Sequence, residues 1–184
     1  MKNIAIFASG SGTNFEALVN TKLEKGKIVL LVCNKPNAYV ITRAKNHNIP
    51  TLVVRLKDFN TKEEYETVIL NELKKYNVEL ILFAGYMNYA GNVLLDNYPN
   101  KIINIHPALL PSFKGAHGIR DAYMFGAKVM GVTVHYVDSG VDTGKIIDQE
   151  AFHLENETLE EAEAKIHEIE YRLYPKTLKK LLEE

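Results

Sequence analysis

Lys101-Ile102-Ile103-Asn104-Ile105-His106-Pro107 is an apolar run of strand length that ends on an amide, an imidazole and a proline. Burying such polar side chains is unfavourable unless they are hydrogen-bonded or used. Asn104 and His106 are two positions apart, so in a strand both side chains point to the same face. The stretch predicts a strand that carries a catalytic centre at its carboxyl end. Capping of the next segment is the structural alternative.

The rest of the chain is arranged around that run as strands and helices. Before it, apolar runs alternate with stretches of helical periodicity, which is typical of successive βαβ units around a parallel sheet. After it, β-rich runs at 128–137 and 145–154 are separated only by a Gly/Asp loop. We expect one α/β domain over residues 1–184, with a Rossmann-like, mostly parallel sheet, flanking helices and an antiparallel C-terminal portion. The parallel strands are expected at residues 4–8, 28–33, 51–54, 80–84 and 101–105.

Residue patterns also mark where helices begin and which side chains they bury. Periodicity predicts helices over 13–20 and about 38–46. The Ser/Thr-x-x-Glu spacing predicts capping boxes in which Thr61 pairs with Glu64 and Thr158 with Glu161. Pro175 is expected to kink or divide the last helix, because proline lacks a backbone donor. The side chains expected to face the core are Tyr65, Val68, Ile69, Leu73 and Tyr76 in one helix, and Ala162, Ile166, Ile169 and Leu173 in the last.

Composition and charge narrow the class of protein. The 184 residues are 46% apolar and 24% charged with a net charge of -1, which is ordinary for a globular domain and predicts no basic surface for nucleic acid. The single cysteine, Cys33, excludes an intrachain disulfide and fits a reducing compartment. No apolar run reaches membrane-spanning length. We therefore expect a cytoplasmic protein with no nucleic-acid or membrane partner.

The loop Ser9-Gly10-Ser11-Gly12-Thr13-Asn14 lies between the first predicted strand and a helix. Glycines let the backbone approach an anion there, and the Thr13 hydroxyl and Asn14 amide add donors. A dinucleotide site is disfavoured, because Phe15 replaces its third glycine and Asn34-Lys35 replaces the acidic residue expected after the second strand. A phosphomonoester is the favoured ligand, and a simple β-to-α turn is the alternative.

An aspartate that could orient His106 lies within Asp138-Ser139-Gly140-Val141-Asp142-Thr143-Gly144. Asn104 can donate an amide hydrogen to a developing oxyanion, and His106 can exchange a proton near neutral pH. Asp142 would stabilise the imidazolium, although an aspartate beside glycines is also typical of a turn. The other histidines lack the close spacing of metal ligands, so no metal is expected. No Gly-x-Ser-x-Gly motif supports a serine hydrolase.

The motifs of the second half resemble those of the folate-dependent formyltransferase family. They are Asn104-Ile105-His106-Pro107-Ala108-Leu109-Leu110-Pro111-Ser112-Phe113-Lys114-Gly115, Gly131-Val132-Thr133-Val134-His135 and Asp142-Thr143-Gly144. Within that family, the Gly10-Ser11-Gly12-Thr13-Asn14 loop is similar to that of the enzymes acting on phosphoribosylglycinamide (GAR). The resemblance covers nearly the whole chain. It implies a formyltransferase-type fold and transfer of a formyl group from 10-formyltetrahydrofolate to the amine of GAR, in purine synthesis.

The resemblance also implies roles for individual residues, with phosphate binding in the half around 1–100 and catalysis and folate binding in the half around 101–184. The catalytic trio would be Asn104, His106 and Asp142, supported by His117 and His135. GAR would be held by Gly10, Ser11, Gly12, Thr13, Asn14, Pro107 and Glu170. The folate would be held by Lys62, Tyr86, Met87, Asn88, Val137, Asp138 and Val141. The family's cis proline would follow Leu110, at Pro111.

Two features depart from the family pattern, and rival functions exist. Ile119 stands where many relatives have a second histidine, and the chain ends soon after the last predicted helix. A formyltetrahydrofolate hydrolase usually carries an extra N-terminal domain, and a methionyl-tRNA formyltransferase carries an RNA-binding domain, so both are disfavoured. The rival from another class is a non-catalytic phosphate- or folate-binding module. A monomer or weak homodimer is expected.

Overall fold

A single sheet of seven strands runs through the protein, and the computed structural model describes all residues from 1 to 184. The strands, in chain order, are β1 Lys2–Ala8, β2 Gly26–Cys33, β3 Thr51–Val53, β4 Leu80–Phe83, β5 Ile102–His106, β6 Val129–Tyr136 and β7 Ile146–His153. The helices are α1 Thr13–Val19, α2 Tyr39–Asn46, α3 Lys62–Lys75, α4 Asn92–Asn97, α5 Gly118–Phe125 and α6 Leu159–Glu183. A short 3-10 turn covers Leu56–Asp58.

The sheet is parallel on one side and antiparallel on the other. Its strand order is β3-β2-β1-β4-β5-β6-β7. The first five strands of that order pair in parallel, whereas β6 runs antiparallel to both β5 and β7. Antiparallel strands can be joined without a crossover helix, which is how β6 passes into β7. This architecture confirms the predicted α/β fold class.

Helices cover both faces of the parallel strands. One core lies under α1, α2, α5 and α6 and includes Phe15 and Ile166. A second core lies under α3 and α4 and includes Tyr65 and Leu94. Alternate residues of the central strands point into the two cores, which explains why these strands have nearly continuous apolar sequences.

The last helix, α6, begins at the predicted capping box. Thr158 Oγ1 accepts from the Glu161 N–H at 3.2 Å, and Glu161 Oε2 accepts from the Thr158 N–H at 3.3 Å. The side chains expected to face the core are all buried, namely Ala162, Ile166, Ile169 and Leu173. Of the two effects expected of Pro175, a kink or a division, the division does not occur, since α6 continues to Glu183. A proline removes one intrahelical hydrogen bond, and the buried Leu178 and Leu182 hold the turns that follow.

The start of α3 differs from the prediction in its second hydrogen bond. Thr61 Oγ1 accepts from the Glu64 N–H at 3.1 Å, as expected for an N-cap. Glu64 Oε2 accepts from the Asn60 N–H at 3.2 Å and not from Thr61, so the reciprocal half of the capping box was wrong. Val68, expected to face the core, is 39% exposed. The fully covered apolar side chains of α3 are Tyr65, Ile69 and Leu73.

Two helices, α4 and α5, were not anticipated from the sequence. They contain only six and eight residues, and neither begins with a side-chain cap. Helices this short are marginal in isolation, so packing against neighbouring elements stabilises them. None of the helices combines the length and the apolar character required to cross a membrane.

The hydroxyl of Tyr174 ties α6 to two strands. It donates to the Phe83 carbonyl at 2.9 Å and to the Ile103 carbonyl at 3.1 Å. We predict that Tyr174→Phe lowers the free energy of unfolding by about 1–3 kcal/mol, because both carbonyls lose this buried donor. Chemical denaturation measures the change.

The matched control for this substitution is Tyr171→Phe in the same helix, where the removed hydroxyl makes no hydrogen bond with the protein. Its free energy of unfolding should change by less than about 0.5 kcal/mol. If both variants had the same free energy of unfolding, the hydrogen bonds of the Tyr174 hydroxyl would not stabilise the protein as we expect.

Candidate active site

The carboxyl ends of β1, β4 and β5 meet at one edge of the sheet, where open α/β sheets bind their ligands. A cavity of about 220 Å³ opens there, between the ends of β4 and β5, the end of β6 and the loops that follow these strands. Ten of the residues expected in the site line this single cavity: Tyr86, Met87, Asn88, Asn104, His106, Pro107, His135, Val137, Asp138 and Asp142.

The pairing of β5 with β6 brings four polar side chains together. In this antiparallel register Asn104 is opposite His135, and His106 is opposite Thr133. Residues two apart in a strand share a face, and directly opposed residues are in contact range. All four side chains therefore lie on the same face of the sheet, and the strand pairing itself builds a compact polar cluster at the sheet edge.

The imidazole of His106 is held through its Nε2 atom. His106 is 4% exposed, and its Nε2 lies 2.8 Å from the Phe113 carbonyl oxygen. A carbonyl only accepts hydrogen bonds, so Nε2 carries a hydrogen and donates it. The second ring nitrogen, Nδ1, lies 3.5 Å from Asp142 Oδ2. Nδ1 is therefore the nitrogen left for proton exchange or for holding negative charge.

Asp142 is both a turn residue and a partner of the two histidines. Its φ of 52° places it in the left-handed region, which aspartate tolerates better than most residues. Its Oδ2 accepts from the Gly115 N–H at 2.8 Å, and its Oδ1 lies 3.7 Å from His135 Nε2. The turn interpretation and the catalytic interpretation of this residue are thus compatible, because the turn directs the carboxylate towards His106.

His135, the member of the polar cluster opposite Asn104, is 2% exposed. Its Nδ1 is 2.8 Å from the Tyr136 carbonyl oxygen, and its Nε2 is 3.3 Å from the side-chain nitrogen of Asn104. Burial lowers the pKa of His135, and the nearby carboxylate of Asp142 only partly opposes that effect. The ring is therefore neutral at physiological pH.

Thr133 and Gln149 hold the segment that follows His106, and sequence reasoning missed both. Thr133 Oγ1 donates to the Ala108 carbonyl at 2.8 Å and accepts from the Leu110 N–H at 3.1 Å. Gln149 Nε2 donates to Thr133 Oγ1 and to the Leu110 carbonyl, each at 2.9 Å. The bond between Leu110 and Pro111 is cis, as expected. Thr133 could have been found from its position two residues before His135, on the same strand face.

Ser9 connects three strand ends and was also missed. It is 2% exposed, and its backbone N–H donates to the Gly85 carbonyl at 3.1 Å. Its Oγ donates to Asn34 Oδ1 at 2.6 Å and accepts from the Met87 N–H at 2.9 Å. The residue just before the glycine loop is thus bonded to the segment expected to contact the folate.

Helix α3 also forms hydrogen bonds with the segment from Tyr86 to Gly91. The hydroxyls of Tyr65 and Tyr86 are 2.5 Å apart, and Asn88 Nδ2 donates to the Tyr65 hydroxyl at 3.2 Å. Burial raises the pKa values of both phenols, so they remain neutral. Glu66 of α3 accepts from the Gly91 N–H at 2.9 Å. Helix α3 therefore fixes both ends of the segment.

The glycine loop, at residues 10–14, has its carbonyl groups occupied and its amide groups free. The Val40 N–H donates to the Gly10 carbonyl at 3.2 Å, and Arg43 Nε donates to the Ser11 carbonyl at 2.8 Å. The backbone N–H groups of Ser11 and Gly12 have no hydrogen-bond partner within the chain. A loop with free N–H groups and bonded carbonyls favours an anion.

Gly12 and Asn14 of the glycine loop each have an unusual environment. Gly12 has a φ of 78°, and a Cβ added there would lie 2.5 Å from Val40 Cγ2, so only glycine fits. Asn14 Oδ1 is buried without any hydrogen-bond partner. An unpartnered buried acceptor is unusual in a folded protein.

Several of the expected site residues lie outside the cavity. The glycine loop follows β1 at the same sheet edge, but it does not line the cavity. Lys62 is at the start of α3, near Glu66, and His117 is the residue before α5. Val141 is 39% exposed. Glu170 is 5% exposed, and its Oε2 lies 2.8 Å from His167 Nδ1, so its carboxylate is buried and hydrogen-bonded.

Comparison with known proteins identifies the family. A model described as "Formyl transferase" matches residues 2–178. The chain is 47% identical to the phosphoribosylglycinamide formyltransferase of Bacillus subtilis, covering 99% of this chain and 95% of that protein. It is 38% identical over 97% of its length to the "Trifunctional purine biosynthetic protein adenosine-3" of Chironomus tentans, of which it covers only 13%.

A solved structure gives the same result. The crystal structure of phosphoribosylglycinamide formyltransferase from Bacillus halodurans superimposes with a TM-score of 0.95 at 47% identity, covering 98% of this chain and 95% of that chain. A family model over nearly the whole chain, a relative of nearly equal length and a matching fold agree with one another. The chain therefore belongs to the formyl transferase family.

Proposed function

We propose that the protein transfers the formyl group of 10-formyltetrahydrofolate to the primary amine of GAR, giving formyl-GAR and tetrahydrofolate in purine biosynthesis. The observation that carries this proposal is the convergence of Asn104, His106 and Asp142 on one cavity at the carboxyl edge of the sheet. The free amide groups of the glycine loop at the same edge support a phosphorylated substrate. The names of the relatives support the particular reaction.

The cavity is suited to a flat heterocycle such as that of the folate. A ligand pocket of this kind combines apolar walls with a few polar groups that fix orientation. Phe83, Tyr86, Met87 and Val137 supply the apolar walls, and the polar side chains of Asn88 and Asp138 lie among them. When bound, 10-formyltetrahydrofolate supplies the formyl carbon that the GAR amine attacks.

Two side chains are placed to hold the negative charge that develops on the formyl oxygen. Asn104 contributes an amide hydrogen without changing its own charge. His106 already donates from Nε2 to the Phe113 carbonyl, so only Nδ1 is left to act towards the cavity. In the protonated ring Nδ1 is a second donor, and it brings a positive charge to the developing oxyanion.

Asp142 stabilises the protonated state of His106 and assists proton movement. Its Oδ2 lies 3.5 Å from His106 Nδ1, so the carboxylate can pair with the imidazolium that forms during the reaction. We assign to it the transfer of a proton from the attacking nitrogen of GAR towards the folate nitrogen that leaves. The Gly115 N–H keeps the carboxylate in position for both tasks.

The remaining assignments concern substrate binding. We propose that Gly10, Ser11, Gly12, Thr13 and Asn14 hold the phosphate of GAR, that Pro107 borders its amine end and that Glu170 binds its ribose hydroxyls. Tyr86, Met87, Asn88, Val137, Asp138, Val141 and Lys62 are assigned to the folate. His117 has a supporting role at the start of α5. These contacts rest on the family motifs and on the placement of the loops.

We predict that Asn104→Ala and His106→Ala each lower kcat by about 100 to 1,000-fold, the usual effect of losing one preorganised oxyanion donor. The free energy of unfolding should change little. A folate absorbance assay on the purified variants measures turnover. Asn156→Ala and His153→Ala are matched controls at exposed positions of the β7–α6 region and should keep normal kcat. Near-normal turnover in either of the first two variants would refute the assignment.

For the glycine loop, we predict that Asn14→Ala raises KM for GAR by roughly tenfold, as expected when a hydrogen bond to a substrate is lost, and changes KM for the folate much less. Initial rates with each substrate varied in turn measure both constants. Equal increases in the two KM values would indicate a general disturbance of the site and would count against GAR binding by this loop.

Product analysis separates the proposed transferase from its rivals. We predict that 10-formyltetrahydrofolate is consumed only when GAR is present, with formyl-GAR and tetrahydrofolate formed in equal amounts. Release of formate without GAR would favour a formyltetrahydrofolate hydrolase. Binding of either substrate without turnover would favour a non-catalytic module.

A further inference from the structure

We propose that His135 is a positioning residue that fixes the orientation of the Asn104 amide, so that Asn104 presents an N–H and not its oxygen to the formyl oxyanion. This inference rests on the proposed function, because it concerns the oxyanion donor of that reaction. It adds a role for the residue opposite Asn104 in the β5–β6 pairing.

The hydrogen-bond partners of His135 determine which ring nitrogen carries the hydrogen. Nδ1 lies 2.8 Å from the Tyr136 carbonyl oxygen, which can only accept, so Nδ1 carries the hydrogen. In a neutral imidazole Nε2 then has a free lone pair and acts only as an acceptor. Nε2 is the nitrogen that lies 3.3 Å from the Asn104 side chain.

An acceptor at that place selects one of the two orientations of the amide. With Nδ2 towards His135, one N–H of Asn104 is donated to the ring and the other is left for the cavity. In the flipped orientation, Oδ1 would face the lone pair of Nε2, and an acceptor would also face the oxyanion. Both contacts of the flipped amide are repulsive, so the neutral ring of His135 excludes it.

The charges around His135 define when this selection holds. The ring is 2% exposed, and burial disfavours its protonated form. The carboxylates of Asp142 and Asp138 favour protonation, and a charged His106 opposes it. If Nε2 gained a hydrogen, its acceptor would become Asp142 Oδ1, now 3.7 Å away, and Asn104 would lose its partner. The selection therefore operates above the lowered pKa of His135 and is lost as pH falls through it.

A double-mutant cycle tests whether His135 acts through Asn104. His135→Leu removes the hydrogen-bond acceptor and fills the space of the ring with an apolar side chain. We predict that it lowers kcat by about tenfold, because the orientation of the Asn104 amide that donates to the oxyanion becomes a minor fraction. The KM values for both substrates should stay within about threefold. His135→Gln, whose Oε1 can accept from Asn104, should restore most of kcat. In an Asn104→Ala background, His135→Leu should cause no further loss.

The outcomes separate this inference from the proposed function. If Asn104→Ala itself kept normal turnover, the proposed function would fail. If Asn104→Ala were impaired but His135→Leu lowered kcat further by the same factor as in the unmodified protein, only the positioning role would fail. An additive loss of this kind would mean that His135 acts through Asp142 or through the strand.

Nitrogen NMR of histidine-labelled protein provides a test on the unmodified protein that does not depend on activity. At pH 7.5 we expect His135 to be neutral, with a protonated Nδ1 and an unprotonated Nε2, the nitrogen that faces Asn104. A ring protonated on Nε2 at that pH would overturn the proposal, because it would have no acceptor for the Asn104 amide. The assignment of the His135 signal uses its loss in His135→Gln.

Discussion

The antiparallel pairing of β5 with β6 is the constraint on which the site depends. All strands on the other side of β5 run parallel, and their carboxyl ends lead into the loops around the site. The change of direction between β5 and β6 places Asn104 against His135 and His106 against Thr133. Because side chains alternate along a strand, a slip of one residue would turn all of these groups to the opposite face. The register of this one ladder thus decides whether a polar site exists.

With this register, the properties of the site depend on which ring nitrogens of the two histidines are not bonded to a backbone carbonyl. His106 uses Nε2 to hold its ring and keeps Nδ1 for the cavity, and His135 uses Nδ1 and keeps Nε2 for Asn104. The two histidines are thus fixed through opposite ring nitrogens by backbone carbonyls. Asp142 lies near both rings, 3.5 Å from His106 Nδ1 and 3.7 Å from His135 Nε2, and burial lowers the pKa of His135.

The loops around the cavity are held by a small number of buried hydrogen bonds. Thr133 and Gln149 hold the segment after β5, and Ser9 joins the glycine loop to the segment after β4. Tyr174 anchors α6 to the carbonyls of β4 and β5, directly behind the site. Such bonds hold the polar groups of the site on a rigid frame, and preorganised groups need little reorganisation during a reaction. They are also costly to lose, because each partner would be left buried and unpaired.

The sequence by itself determined the fold class, the position of β5, the glycine loop and, through its family motifs, the reaction. Strand-length apolar runs and the spacing of Asn104, His106 and Asp142 are local or pattern-based, so they can be read without coordinates. Only the tertiary structure decided the roles of Ser9 and Gln149, the continuation of α6 through Pro175 and the contact between His135 and Asn104. The physical reason is that these features depend on strand register and on packing between distant segments, which no local pattern encodes.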